Sequence, residues 1–151
     1  MRARTADPPE STIDAFHRGA FFLVQPAGRG HRAGLDAMVL AAAVPSGFAG
    51  RLADLGAGAG AAGLAVAARC ADANITLVER DPEMLGYARR TLALPQNAAL
   101  RGRAEILDAD VTLSGEARAA AGLEDSAFDY AIMNPPFNTA ADRACASSPA
   151  R

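Results

Sequence analysis

A glycine-rich turn between a short apolar segment and an alanine-rich segment constrains this fold more than any other feature of the sequence. Residues 51–55 (RLADL) are typical of a strand, residues 61–71 of a helix, and glycines recur through the intervening residues 56–63 (GAGAGAAG). Glycine lets the backbone approach a ligand closely, and the first N–H groups of the following helix are available to bind it. The pattern therefore predicts an α/β fold with a nucleotide-like cofactor at this turn.

The glycines of this turn fit two patterns. Gly58, Gly60 and Gly63 satisfy the dinucleotide fingerprint GxGxxG, whereas Asp54 followed by Gly56, Gly58 and Gly60 satisfies an acid-x-GxGxG pattern. In a sequence so rich in alanine and glycine, either match arises easily by chance. A flexible turn that binds no ligand is the alternative interpretation.

Strands and helices alternate along the chain, which favours right-handed crossovers and a parallel sheet with helices on both faces. A buried strand is indicated by a short apolar run, and a helix by apolar residues on one face of a 3.6-residue period. The predicted strands are 21–24, 51–55, 74–78, 104–107 and 128–133, and the predicted helices are 33–44, 61–71 and 82–94, with a short helix or loop within 113–127.

The length of 151 residues is that of one domain. Residues 1–15 are polar and include two prolines, so we expect a flexible N-terminal arm. Residues 16–138 form the predicted domain. Residues 139–151 are small or polar, and we expect an irregular tail there.

Charge and cysteine usage narrow the choice of partners. The formal net charge is -2, so any contact with nucleic acid must be local rather than driven by a field over the whole chain. Cys70 and Cys145 have no metal-ligand spacing, so we expect no metal site and a reducing, cytoplasmic setting. The first 18 residues contain no apolar run long enough for a signal peptide or membrane span.

Acidic residues follow two successive predicted strands. Glu79 ends the strand after the glycine turn, where a carboxylate can accept both hydroxyls of a ribose. Asp110 follows the next strand, and its side chain with the backbone N–H of Val111 could hold an adenine edge, with Asp108 as a rival. A solvated loop is the alternative for each acid alone.

The tetrad Asn134, Pro135, Pro136 and Phe137 directly follows the last predicted strand. Two prolines fix the backbone and remove two N–H donors, which leaves carbonyl oxygens to face a ligand. The Asn134 side-chain oxygen and the Pro135 carbonyl oxygen can together accept both hydrogens of a planar amino group. Phe137 can stack on the ring that carries this group. A proline turn that merely ends the strand is the alternative.

Together these motifs resemble the class I S-adenosylmethionine-dependent methyltransferases, whose fold is a Rossmann-like parallel sheet. The tetrad is similar to the NPP(Y/F) motif of enzymes that methylate exocyclic or amide nitrogen. Residues 16–42 (FHRGAFFLVQPAGRGHRAGLDAMVLAA) resemble the N-terminal segment of the tRNA(Val) adenine-N6 methyltransferases, a group of the small-domain methyltransferases. The resemblance covers about residues 16–138.

This resemblance implies roles for particular residues. Glu79 would hold the ribose of S-adenosylmethionine, and Asp110 with Val111 would hold the adenine. Arg32 and Asp36, with Gln25, match the N-terminal segment and would line the cofactor pocket, although Arg32 and Asp36 could instead pair across a helical turn. The methionine part of the cofactor would be bordered by Asp54, Gly56, Gly58 and Gly60. The acceptor would be held by Asn134, Pro135, Pro136 and Phe137.

The expected substrate is an adenine amino group in tRNA, with guanine in rRNA and glutamine in protein as the alternatives. Members of the superfamily complete the sheet with three further strands, which are missing after the tetrad here. We therefore expect either a C-terminally truncated chain or a second subunit that covers the exposed strand edge, with self-association through that edge. An inactive cofactor-binding or assembly fragment is a further alternative, and a NAD-binding domain is another.

Overall fold

The computed structural model describes residues 10–28 and 32–135, and within them an antiparallel hairpin comes first. Strand β1, Ser11–Phe16, pairs along its whole length with β2, Phe21–Pro26. The expectation of a flexible arm over residues 1–15 is therefore wrong for residues 11–15. Their backbone groups are paired in the ladder with β2, whose Phe21 and Leu23 are fully buried.

The other elements alternate between helix and strand. The second sheet has the strand order β5-β4-β3-β6, and every neighbouring pair is parallel. This arrangement confirms the α/β class and the parallel sheet. The elements are α1 Leu35–Ala42, β3 Gly50–Leu55, α2 Ala61–Arg69, β4 Ala73–Glu79, α3 Pro82–Ala93, α4 Ala98–Arg101, β5 Ala104–Asp108, α5 Gly115–Ala120 and β6 Tyr130–Met133.

The direction of strand addition reverses at β3. From β3 the chain adds β4 and β5 on one side, whereas β6 pairs with the other side of β3. In an open parallel sheet the ligand crevice lies at the carboxyl ends of the strands at such a switch point. The glycine turn after β3 and Asn134 after β6 therefore leave the sheet at the same place.

The β1–β2 hairpin is joined to α3 by buried polar side chains. Asn97 is fully buried, accepts the backbone N–H of Phe22 at 2.9 Å and donates to the carbonyl of the same residue at 2.8 Å. The hydroxyl of Thr91 on α3 accepts the N–H of Val24 at 2.9 Å. These bonds fix the outer edge of β2 and hold Gln25, the next residue, above the end of the parallel sheet.

Sequence and structure agree on most boundaries of the elements. The carboxylate of Asp81 accepts the N–H groups of Glu83 and Met84 and caps α3, as expected of an Asp-Pro start. The last strand is shorter than the predicted 128–133, since the Asp129 carboxylate accepts the N–H of Arg51 at 2.8 Å. In residues 10–28 and 32–135 no helix is long and apolar enough to cross a membrane.

Helix α2 lies very close to the sheet because its residues are small. Its segment 61–67 is entirely buried, and a Cβ atom on Gly63 would lie 2.6 Å from Leu77 Cδ2 and 2.9 Å from Ile75 Cγ2. Gly86 on α3 instead faces open space, with nothing within 4 Å of the corresponding position. The two helical glycines therefore have opposite packing environments.

We expect Gly63→Ala to lower the free energy of unfolding by about 1–2 kcal/mol, because overpacking outweighs the gain in helix propensity. Gly86→Ala, the matched control, should raise it by roughly 0.5–1 kcal/mol, because it adds helix propensity without a clash. Urea denaturation followed by circular dichroism measures both values. Equal changes of the same sign would contradict the packing argument.

Candidate functional site

Two adjoining hollows lie at the carboxyl ends of β3, β4, β5 and β6, and they share Gly56. The first hollow is lined in part by Gln25, Asp54 and Asn134. The second is lined in part by Glu79, Asp110 and Val111. The structure thus brings together predicted residues from five separate segments of the sequence.

The glycines of the turn have backbone conformations that side chains oppose. Gly56, Gly58 and Gly60 have φ values of 73°, 57° and 99°. A Cβ atom on Gly56 would meet nothing within 4 Å, whereas one on Gly58 would lie 3.3 Å from Met84 Cε. Glycine adopts this left-handed region without steric cost, and the absent side chain at Gly56 leaves the shared wall of the two hollows open.

Asp54 lies at the base of the first hollow and is 2% exposed. Its Oδ2 atom accepts the backbone N–H of Gly63, in the first turn of α2, at 2.8 Å. Burial raises the pKa of Asp54 to about 6, against the opposing effect of the Gly63 hydrogen bond, and the charge of Glu79 adds to the increase. The site therefore holds a carboxyl group that titrates in mildly acidic solution.

Glu79 connects the glycine turn to the start of α3. Its Oε2 atom accepts the N–H of Gly58 at 2.9 Å, and Oε1 accepts the N–H groups of Arg80 and Asp81 at 2.8 and 2.9 Å. A carboxylate has about four lone-pair positions, so these three bonds leave it able to accept a hydroxyl from a ligand in the second hollow.

Asp110 is held in its ionised form on the far side of the second hollow. The hydroxyl and N–H groups of Thr112 donate to Oδ1, and Arg80 donates to Oδ2 at 2.6 Å. The Thr112 hydroxyl bond, followed by the other two contacts, lowers the pKa of Asp110 to about 2. Its rival Asp108 is exposed and lines neither hollow.

Gln25 and Arg32 form a network with Asp14 of β1. Gln25 is 2% exposed, accepts the N–H of Ala33 at 2.7 Å and donates to Asp14 at 2.7 Å. Arg32 forms an ion pair with the same Asp14 carboxylate at 2.7 Å rather than with Asp36. Gln25 lines the first hollow, whereas Arg32 lines neither hollow and ties the start of α1 to the hairpin.

Asn134 lies half-buried at the end of β6, where it lines the first hollow. Its Nδ2 atom donates to Oδ2 of Asp36, in the first turn of α1, at 2.6 Å. The structure therefore places Asp36 in contact with the predicted acceptor-binding residue. Pro135 is exposed. Pro136 and Phe137 lie outside the residues that the structure describes.

A family model decides the relationship. The model described as the methyltransferase small domain matches residues 32–147. The chain belongs to this family of small-domain methyltransferases. No curated protein sequence gives a significant match.

Solved structures of other methyltransferases share the fold of this methyltransferase domain. A predicted O-methyltransferase of Agrobacterium tumefaciens is 59% identical, with a TM-score of 0.64, over 68% of this chain and 49% of that one. The 16S rRNA N2 G1207 methyltransferase of T. thermophilus, solved with AdoMet and guanosine, is 24% identical, with a TM-score of 0.60, over 87% of this chain and 34% of that one. The methyltransferase domain thus spans half or less of the length of these two structures.

Some residues that build the candidate site carry no local sequence signal. Asn97 and Thr91 fix the hairpin, and Asp14 holds both Gln25 and Arg32. Asn97 lies 75 positions from its partner Phe22, so no spacing pattern indicates the contact. Across residues 10–28 and 32–135, no group of three or more His, Cys, Asp or Glu side chains is arranged to hold a metal ion.

Proposed function

We propose that this chain is the cofactor-binding part of a cytoplasmic S-adenosylmethionine-dependent N-methyltransferase that modifies an adenine amino group in tRNA. The observation that carries the proposal is the position of Asn134. It lines the same hollow as the glycine turn and Asp54, at the switch point of the sheet. A side chain able to accept a hydrogen bond thus lines the hollow that we propose for the cofactor, in a chain that belongs to a methyltransferase family.

The residues of the two hollows fit the chemistry of S-adenosylmethionine. The cofactor carries positive charge on its sulfur and its ammonium group, and the first hollow contains the buried carboxyl group of Asp54. Glu79 would accept a ribose hydroxyl at its remaining lone-pair position, while Asp110 and Val111 would hold the adenine. Asp54 and the glycine turn would border the methionine part, where the missing Cβ of Gly56 leaves space.

When bound, S-adenosylmethionine supplies a methyl group whose bond to sulfur breaks as the new bond to nitrogen forms, and the bonding electron pair stays on sulfur. The protein's part in this reaction is positioning and electrostatics. An amino nitrogen on an aromatic ring is a poor nucleophile because its lone pair is delocalised. Asn134 Oδ1 and the Pro135 carbonyl would accept its two hydrogens, which favours a pyramidal nitrogen and stabilises the growing positive charge. The displaced proton passes to water.

Methylation of oxygen is the second candidate, favoured by the name of the A. tumefaciens relative, a predicted O-methyltransferase at 59% identity. A hydroxyl group carries one hydrogen, whereas Asn134 and Pro135 offer two neighbouring acceptors. Two acceptors match the two hydrogens of an NH₂ group, so the site favours an amino group over a hydroxyl group as the substrate. Chromatography of nucleosides from labelled RNA separates methylation at the base nitrogen from methylation at the ribose oxygen, and separates adenine from guanine products.

We expect Glu79→Ala to weaken S-adenosylmethionine binding by roughly 1–3 kcal/mol in calorimetry, the usual cost of losing a hydrogen bond to a charged group. Glu116→Ala, at an exposed glutamate on α5 that lines neither hollow, is the control and should bind S-adenosylmethionine like the wild type. NAD should bind poorly to the wild type. Tight NAD binding with no binding of S-adenosylmethionine would overturn the cofactor assignment in favour of a NAD domain.

We also propose that the chain self-associates through β6. In the described part of the chain, β6 pairs with β3 alone, and Tyr130 and Met133 are 36% and 45% exposed. An unpaired apolar edge pairs readily with another chain. Sedimentation should show concentration-dependent dimers, and Ala131→Lys on β6 should shift them to monomers while Ala43→Lys after α1 does not. A monodisperse monomer at high concentration is the contrary result.

A further inference from the structure

The contact between Asp36 and Asn134 joins two distant parts of the chain at the acceptor side of the first hollow. Asp36 lies in the first turn of α1, and Asn134 follows β6, 98 positions later in the sequence. Asn134 Nδ2 lies 2.6 Å from Asp36 Oδ2, within hydrogen-bond distance of this acceptor. Helix α1 is anchored by the buried Ala37 and Ala41, so Asp36 extends from a fixed support.

The chemistry of a carboxylate decides which end of the Asn134 amide faces Asp36. An ionised carboxylate can only accept hydrogen bonds, so it selects the NH₂ end of the amide and excludes the oxygen. The Oδ1 atom of Asn134 is then directed away from Asp36. Without such a partner, the terminal torsion of asparagine is broad and nearly two-fold, so either end could face the substrate.

The two orientations have opposite consequences for an amino substrate. With Oδ1 toward the substrate, Asn134 accepts a hydrogen from the acceptor amino group. With Nδ2 toward the substrate, two NH₂ groups face each other, and the amide opposes positive charge on the reacting nitrogen. A carboxylate behind the amide also polarises it, which makes Oδ1 a stronger acceptor.

We propose that Asp36 is a positioning residue that orients the Asn134 amide, with its oxygen toward the acceptor amino group. This inference rests on the proposed N-methyltransferase function and replaces the cofactor-binding role that the family resemblance implies for Asp36. It also gives the site a preference for substrates that donate two hydrogens, such as aromatic amines and primary amides. Asp36 acts through Asn134 and does not touch the substrate.

The first test observes the amide itself, without activity. In ¹H–¹⁵N spectra of the full chain, the side-chain NH₂ signals of Asn134 are assigned by their loss in Asn134→Ala. In the wild type, one of the two protons should be shifted downfield by the carboxylate, and Asp36→Ala should move it to the position of a solvated amide. Leu35→Ala, an exposed neighbour on α1, is the control and should leave it in place. An Asn134 signal that is unchanged in Asp36→Ala would overturn the proposal.

The second test separates chemistry from cofactor binding. We expect Asp36→Ala to lower kcat for methyl transfer to tRNA, rRNA or protein by about 10-fold or more, the scale known for residues that orient the ligands of a metal ion. Its affinity for S-adenosylmethionine should stay unchanged. Asp36→Asn should fall between Asp36→Ala and the wild type, because an amide at position 36 can pair with either end of Asn134.

A double variant completes the experiment. If Asp36 acts through Asn134, Asp36→Ala should cause little further loss of kcat when Asn134 is already alanine. Additive losses, or a defect of Asp36→Ala that lies mainly in cofactor affinity, would overturn the positioning role. A wild type that binds S-adenosylmethionine but methylates none of the acceptors contradicts the proposed function, while the spectra of the Asn134 amide still decide the positioning role. A fully active Asp36→Ala contradicts the positioning role alone.

Discussion

Asn134→Ala should slow methyl transfer by roughly 10²–10³-fold, which corresponds to about 2.7–4 kcal/mol in activation free energy, while S-adenosylmethionine affinity stays nearly unchanged. The substitution removes one of the two acceptors for the reacting amino group. It leaves the Gly58 and Gly63 contacts of the glycine turn intact, because these are made by Glu79 and Asp54. The measurement is transfer of a radiolabelled methyl group, at saturating cofactor, to tRNA, ribosomal RNA and protein in parallel.

A matched control uses the same substitution elsewhere in the sheet. Asn74 is exposed near the start of β4, at the opposite end of the strands from the hollows, so Asn74→Ala should keep wild-type activity. We expect the label in tRNA adenine. If Asn134→Ala kept full activity on every acceptor, or if it lost mainly cofactor binding, Asn134 would be a strand-ending cap and not an acceptor-binding residue.

The parallel sheet could be predicted because its signals are local. Residues 51–55 and 74–78 are short apolar runs that end at a glycine turn and at an acid, and the structure has strands at Gly50–Leu55 and Ala73–Glu79. The start of α3 follows from one dipeptide, Asp81 and Pro82, which supplies both the cap and the first helical turn. Propensity and pattern agree in each of these elements.

The hairpin shows where local signals fail. Residues 11–15 (STIDA) are largely polar, and their order comes from pairing with β2, whose outer edge is held in turn by Asn97 and Thr91. These partners lie more than 60 positions away in the sequence. A long-range side-chain bond of this kind leaves no periodic pattern, so the sequence alone could not distinguish this strand from a loose arm.

Only part of the candidate site, likewise, could be predicted from the sequence. That acids and glycines meet at the ends of strands follows from parallel topology, and this predicted the lining by Glu79, Asp110 and the turn. The partner of each polar group depends on exact side-chain positions. The contact from Asp36 to Asn134 and the pairing of Arg32 with Asp14 each join separate elements, and neither could be read from spacing.

The burial of Asp54 couples the stability of the domain to its ligand. At neutral pH the carboxyl group is ionised, although it is 2% exposed and has the nearby negative charge of Glu79. A positively charged ligand in the first hollow would compensate this charge. We therefore expect S-adenosylmethionine affinity to fall as the pH drops through about 6, where Asp54 takes up a proton.

Asp54→Asn should raise the free energy of unfolding at pH 7 by up to about 3 kcal/mol, since raising a pKa from 3.8 to about 6 costs the ionised form 1.36 kcal/mol for each tenfold change in proton affinity. The folded state binds the proton more tightly than the unfolded state. Well below pH 4, Asp54 is protonated in both the folded and the unfolded state and carries no buried charge. The free energy of unfolding of the wild type therefore falls as the pH rises from about 4 to 6. The asparagine side chain of the variant has no such dependence and can still accept the N–H of Gly63.

Urea denaturation at a series of pH values, with the exposed Asp72→Asn as the control, measures the difference. If Asp54→Asn were no more stable than the wild type at pH 7, the ionised carboxylate would be stabilised by the start of α2, and the buried charge would carry no energetic cost.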